Sequence, residues 1–435
     1  MKRGERGAGR SSTGAIKKKV GETLAGGKRA QESECQQTSR GQAGTTKSNR
    51  SNKVQSPSSQ EMSIARCREV FGAMPDELTT RTRLQIHDKE LCSADLQHLR
   101  ACSLVTELSF TNCRGAIDLS VLAGMSALKD LQIFVSEISS HEALLQHRQL
   151  KRLYLSQSNM GSGIAQYLQH MNQLEELVLE YICDNIDLSG IARLPKLRYL
   201  RLSDAYITEE SLIALSKSKC LRKIESEKLS TPDFSHLAEL QPLEELTLGL
   251  CIHYQKGFGA LSKLPLLRYL KITSALVTDE DVRELSQHEG LKGLHIGGSM
   301  KLTDITPLSK IKTLEELWLR SLFWLKSGLG SLRELRNLHR LDMSTTPVND
   351  DEVKNISTMD SLVSITFLAS KGLKTVEPLA VVSALKHLNI QFIPPRTFEY
   401  AEFVDYLIHT KYGLLSPEGE KYGVVLITVG PLPGC

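Results

Sequence analysis

Residues 291–320 read LKGLHIGGSMKLTDITPLSKIKTLEELWLR, and this stretch holds two copies of one phrase. Leu291, Leu294 and Ile296 form the first; Leu314, Leu317 and Leu319, 23 positions on, form the second. In each, an aliphatic residue is followed by two variable residues, a second aliphatic, one variable residue and a third. Outward in both directions the phrase opens at 105, 128, 150, 174, 197, 221, 243, 267, 291, 314, 338, 362 and 385, always 22 to 24 residues apart. A fixed period of this size marks a chain of stacked, equivalent units. It directs the search for function to a long regular surface and away from a pocket.

The last two aliphatics of a phrase are two residues apart, so in a strand they share one side while the residue between them faces away. One such strand cannot bury its apolar side alone; stacking successive coils closes the core. Thirteen coils at about 4.8 Å predict an inner parallel sheet roughly 60 Å across. The returning segments read as helices or tight turns. VTDEDVRELSQ places Val277, Val282 and Leu285 at helical spacing behind Thr278 as N-cap, and ITEESLIALSK does the same with Ile207, Leu212 and Leu215. Asn349 and Glu352 fit a capping box. LTDITPLSK reads as a short turn. Three residues after the last aliphatic, nine of the first twelve phrases carry Cys, Ser, Thr or Ala and none carries Asn, which predicts a turn of small residues. Two coils are irregular: Ser226 fills an aliphatic slot, and Leu322, Phe323 and Trp324 follow the phrase at Leu314. A local distortion and a partner-binding spot are both open for them.

Charge is unevenly divided. Residues 1–60 hold 13 Lys or Arg against 4 Asp or Glu, so the rest of the chain carries a net −5 within a total of +4. With almost no large aliphatics, residues 1–61 form a basic arm expected to be disordered. Its dense cluster, Lys17, Lys18 and Lys19, admits an anionic partner, nucleic acid included, against the plainer reading of a solvated tail. The first 30 residues show no apolar leader core, and no stretch reaches the roughly 20 apolar residues of a membrane span. Nine scattered cysteines without a C-x-x-C pattern give no zinc site and suggest reduced thiols. The expectation is an intracellular protein, in the cytoplasm ahead of the nucleus, with no membrane contact.

A solenoid needs covered ends. Leu84 and Ile86 resemble the tail of a degenerate phrase, and residues 62–104 read as an N-terminal cap. The solenoid itself covers 105–394. Residues 395–435, with an aromatic segment around Phe398 and Phe403 and the strand-like VVLIT from Val424, read as a C-terminal cap. MPDEL, Met74 to Leu78, resembles the opening of an F-box, which implies docking to a ubiquitin-ligase scaffold and a role as its substrate-recognition adaptor.

Signatures for metalloprotease, phosphate-loop, nucleophile-elbow or dinucleotide chemistry are missing. The expectation is a protein that is not an enzyme, with no cofactor, metal or small-molecule substrate. Charged doublets such as Lys151–Arg152, Glu175–Glu176, Arg222–Lys223, Glu244–Glu245 and Glu315–Glu316 take equivalent places on successive coils. They read mainly as a ladder of exposed pairs, and their acidic members argue against nucleic acid on this face. The better candidates for binding a protein are the middle-slot residues Tyr154, Arg201, Lys271, His295, Trp318 and Asp342. Tyr181, Tyr199, Tyr269 and Arg320 lie beside them. Interface hot spots favour Trp, Tyr and Arg, so Trp318 with Arg320 is the first choice of anchor.

From Val105 to Ile390 the chain resembles the leucine-rich repeat superfamily, which implies an α/β solenoid: a horseshoe with an inner parallel sheet and outer helices and turns. LTDITPLSKIKTLEELWL and VTDEDVRELSQHEGLKGLHI are similar to repeats of trypanosome expression-site-associated leucine-rich repeat proteins, labelled as adenylate cyclase regulators. That resemblance implies a scaffold that binds a protein through its concave sheet and regulates a signalling enzyme. Members of that group can carry a RING finger before the repeats, and this chain has no Cys/His zinc pattern there.

Overall fold

The aliphatic triplets do what their spacing requires: each phrase of the solenoid lays down one strand whose leucines turn inward. The structure, a computed structural model, describes residues 59–391 except 157–161, 182–185, 204–206, 227–232, 250–255, 274–275, 369, 371 and 374–375, together with 424–428. The Lys17–Lys19 cluster and the Phe398–Phe403 segment lie outside these residues. The strands are β1 (Arg83–His87), β2 (Glu107–Asp118), β3 (Asp130–Ser139), β4 (Arg152–Ser156), β5 (Glu176–Glu180), β6 (Tyr199–Ser203) and β7 (Lys223–Ser226). They continue as β8 (Glu245–Leu248), β9 (Tyr269–Thr273), β10 (Gly293–Gly297), β11 (Glu316–Arg320), β12 (Arg340–Asp342), β13 (Ser364–Leu368), β14 (His387–Gln391) and β15 (Val424–Thr428). All fifteen form one sheet in chain order. The pairs from β1 to β14 are parallel, and β15 alone runs antiparallel, against β14.

Register is one-to-one across the middle of the sheet. Leu270, Leu294, Leu317 and Leu341 fall in one row, and Ile272, Ile296 and Leu319 in the next. These side chains are at most 2% exposed, so each contributes about 1.5–3 kcal/mol of burial. The first aliphatic of the phrase, as at Leu291 and Leu314, is buried just before its strand. Phe234 and Phe258 stack at 4.8 Å between centroids and fill the core of two neighbouring coils.

The outer segments follow their caps. Thr278 accepts from the Asp281 amide and starts the helix Asp279–Leu285; Asn349 with Glu352 closes a capping box on Asp350–Ile356; Thr208 caps Glu209–Ser216. LTDITPLSK makes a 3-10 turn over Thr306–Lys310. The small-residue turn also has its physical role. Ser299 donates to the Val277 carbonyl at 2.6 Å, Thr346 to Leu319 at 2.6 Å and Ser370 to Met343 at 3.1 Å, each bonding back to the preceding coil.

Two expectations need correction. The phrase with Ser226 is not distorted: β7 keeps register with β6 and β8, and Ser226 is buried with its hydroxyl unpartnered. MPDEL forms one helical turn, Pro75–Leu78, whose Leu78 joins the same buried core as the repeats, and β1 follows directly.

Candidate protein-binding face

Alternate strand residues point away from the core, and the register stacks them in three rows on the open face of the sheet. The middle row runs Tyr154, Val178, Arg201, Glu225, Thr247, Lys271, His295, Trp318 and Asp342 from β4 to β12. Tyr199 and Tyr269 lie in the row beside it and Arg320 in the third. Tyr181 is not in a row. It follows β5 in a left-handed turn (φ 60°) that carries it past the strand end, 51% exposed.

Most charges here are matched across coils. Arg152 meets Asp130 at 2.6 Å, Lys151 meets Glu175 at 3.0 Å, and Lys223 meets Glu245 at 2.9 Å. Lys292 meets Glu315 at 2.7 Å, Arg340 meets Glu316 at 3.0 Å, and Arg222 pairs with Glu244. Where both partners are partly exposed each pair contributes about 0–1 kcal/mol, so most of the ladder sets solubility and register more than stability, while the buried Asp130 depends more on Arg152. Tyr154 and Tyr199 belong to it. The Tyr154 hydroxyl donates to Glu176, the Tyr199 hydroxyl to Glu225 at 3.0 Å, and Lys223 lies 5.5 Å over the Tyr199 ring. Burial and then Glu225 push the Tyr199 phenol up to about 12; burial and Glu176 push Tyr154 up as well. Arg201 lies 3.4 Å from Glu180 and 3.8 Å from Glu225. These three candidates serve the ladder.

Between β9 and β12 the character changes. His295 and Trp318 stack face to face, 3.7 Å between centroids and 10° from parallel. Arg320 places its guanidinium carbon 4.7 Å from the Trp318 ring, and its Nε donates to Asp342 at 2.9 Å. Asp342 is buried and also accepts from the Ser344 amide at 2.9 Å and hydroxyl at 2.6 Å. Its carboxylate therefore positions Arg320 and is not presented to a partner. Burial, helped by Lys271 and Arg320, lowers the His295 pKa to about 4. A neutral imidazole can lie against Trp318 beside these cations without repulsion.

On β10 the outward neighbours of His295 are Gly293 and Gly297, so the face has gaps on both sides of the imidazole. The Tyr269 ring leans over Gly293: a methyl there would sit 2.5 Å from its Cδ1. A hollow of about 180 Å³ remains, lined by Glu245, Thr247, Tyr269, Lys271, Gly293 and His295. The structure thus brings Tyr269, Lys271, His295, Trp318, Arg320 and Asp342 together and leaves Tyr154, Tyr181, Tyr199 and Arg201 apart from them.

Sequence reasoning marked Phe323 and Trp324 without deciding between a distortion and a binding spot, and it missed the rim they form with Met300 next to this centre. Met300, Phe323 and Trp324 are 70%, 60% and 59% exposed. Gly297 pairs with Arg320, so Met300 and Phe323, three residues on, take equivalent places on neighbouring coils. The LFW triplet was the available signal: Leu322 is buried while the two aromatics after it are not. Nothing in the sequence marks Met300.

No family model matches the chain. A Trypanosoma equiperdum protein named "Putative adenylate cyclase regulatory protein" is 30% identical over 166 residues, 37% of this chain. The match spans only about a quarter (26%) of that relative's length. Among solved structures, an internalin (inlF) from Listeria monocytogenes superposes with a TM-score of 0.57 at 20% identity, covering 74% of this chain and 90% of that one. A leucine-rich-repeat protein from Leptospira interrogans gives 0.43 at 16% identity, over 73% and 91% of the two chains. One parallel strand per coil, inward triplets along its length and the internalin overlap make this chain a leucine-rich-repeat protein by fold.

Proposed function

We propose that the open face of the sheet, the side expected to be concave, binds a protein partner through a centre formed by His295, Trp318 and Arg320. On this reading the protein acts by binding and regulates its partner. The observation that carries it is the placing of the chain's aromatic resources. It has only two tryptophans, Trp318 and Trp324, both on one coil and neither buried in the core. A tryptophan used for stability would be inside. One held on the face by a stacked imidazole and a fixed guanidinium is preorganised for contact, which limits the ordering cost of binding. Regulation of a signalling enzyme is the form suggested by the name of the trypanosome relative. The test is affinity purification of the full chain beside the double variant Trp318→Ala, Arg320→Ala, with circular dichroism of both. The expected result is at least one partner reduced roughly tenfold on an unchanged fold, as for a hot-spot truncation. An identical partner set would overturn the reading.

A further inference from the structure

Resting on that reading, we propose that the partner is an acidic protein segment: it seats a carboxylate on Lys271, puts a neighbouring side chain into the hollow beside Tyr269, and reaches the Met300–Phe323–Trp324 rim with an apolar group.

The charge argument comes first. In the three outward rows, Arg83, Arg152, Arg201, Lys223, Arg320 and Arg340 each lie within 4.0 Å of a carboxylate. Among the described residues of these rows, Lys271 is the cation with none. Its row neighbours Thr247 and His295 supply no counter-charge, and the acid nearest by register, Glu245, is held by Lys223 at 2.9 Å. Burial is the main cause of the lowered His295 pKa; Lys271 and Arg320 add to it and Asp342 opposes it. A face that matches its other row cations internally and leaves one beside a hollow has an opening for a single anion, not for a polyanion. Carboxylates along the rest of the face would repel a nucleic-acid backbone.

Size and spacing complete the argument. A hollow of about 180 Å³ is smaller than the roughly 300–1,000 Å³ of small-ligand pockets and suits one side chain of a larger molecule. From the slot of Trp318 to Phe323 is five residues, at most about 17 Å at ~3.3 Å per residue. Lys271 lies level with Trp318 but two strands away, about 10 Å at ~4.8 Å per strand, so an extended segment crossing from β9 over β10 and β11 carries its acid and its bulky apolar residue about four to six positions apart.

A random-peptide phage library panned on the full chain tests this. Wild type is expected to enrich peptides with Asp or Glu at a fixed place and Phe, Trp, Leu or Met four to six positions away. A synthetic peptide of that kind should bind Lys271→Glu at least tenfold more weakly and Lys271→Gln at an intermediate level. The same peptide with its acid changed to Lys should recover binding on Lys271→Glu. Lys271 is exposed, so these variants should melt as wild type does. Enrichment without a fixed acid, acidic peptides indifferent to Lys271→Glu, no enrichment above an unrelated bait, or equal Lys271-dependent binding of a single-stranded oligonucleotide would each overturn the inference. Peptides that keep their dependence on Trp318→Ala but not on Lys271 would sink the charge inference alone. Peptides indifferent to Trp318→Ala would sink the binding face as well.

Discussion

The strands β4 to β8 and the strands β9 to β12 share one inner side and differ on the other. Inside, Leu177 and Leu317 are equally buried, at 0% exposure, and the register is unbroken between them. Outside, the first region is a ladder in which Arg152, Lys223, Tyr154 and Tyr199 each satisfy a carboxylate on a neighbouring strand. The second keeps pairs such as Arg340 with Glu316 and adds stacked rings, two glycines, a lone cation and an exposed apolar rim. A matched ladder offers a partner little, because each of its groups already has an opposite charge and competes with water for it. Rings and gaps offer apolar area and shape. Repetition builds the platform, and departure from repetition makes the site.

The largest expected effect tests the sameness of the inside. Leu177→Ala and Leu317→Ala should each cost about 2–5 kcal/mol in urea unfolding. A gap between them beyond that range would show that the regions differ in their cores too.

Acid titration should separate them next. His147, His288 and His295 all have lowered pKa values, with burial the leading cause. Well above pH 6.5 these imidazoles are neutral both folded and unfolded. As pH falls below that, the unfolded chain binds protons that the folded chain refuses, so stability drops. For His295 the drop ends near pH 4, where the folded form protonates too. His147 has no hydrogen-bond partner on either nitrogen and occupies the slot held by Met125 and Met171 on adjacent coils. His147→Met should therefore raise stability by about 1–2 kcal/mol at neutral pH and flatten the acid slope. Urea midpoints at pH 7.5 and 5.5 measure both, and an unchanged slope would contradict the assignment.

The smallest effect belongs to the ladder. Lys151→Ala and Arg201→Ala should each change stability by about 1 kcal/mol or less and leave selected-peptide affinity within twofold. A tenfold loss of affinity from either would extend the site into β4–β6 and erase the contrast.

The sequence by itself determined the repeat, the inward rows, the helix starts at Thr278 and Asn349, and the turns at Ser299 and Thr346. Each follows from a local rule: spacing decides which residues share a side, and a capping residue acts within four positions. Even the pairing of charged doublets was legible, since a 22–24-residue period sets like slots side by side. Only the tertiary structure decided that His295 lies flat on Trp318, that Asp342 is buried under Arg320, and that Lys271 is left without an acid. These contacts join residues more than twenty positions apart, and their energies are small beside that of the core. The period constrains the inward leucines strongly and leaves the outward side chains free, so what those side chains do is settled by their neighbours across the sheet.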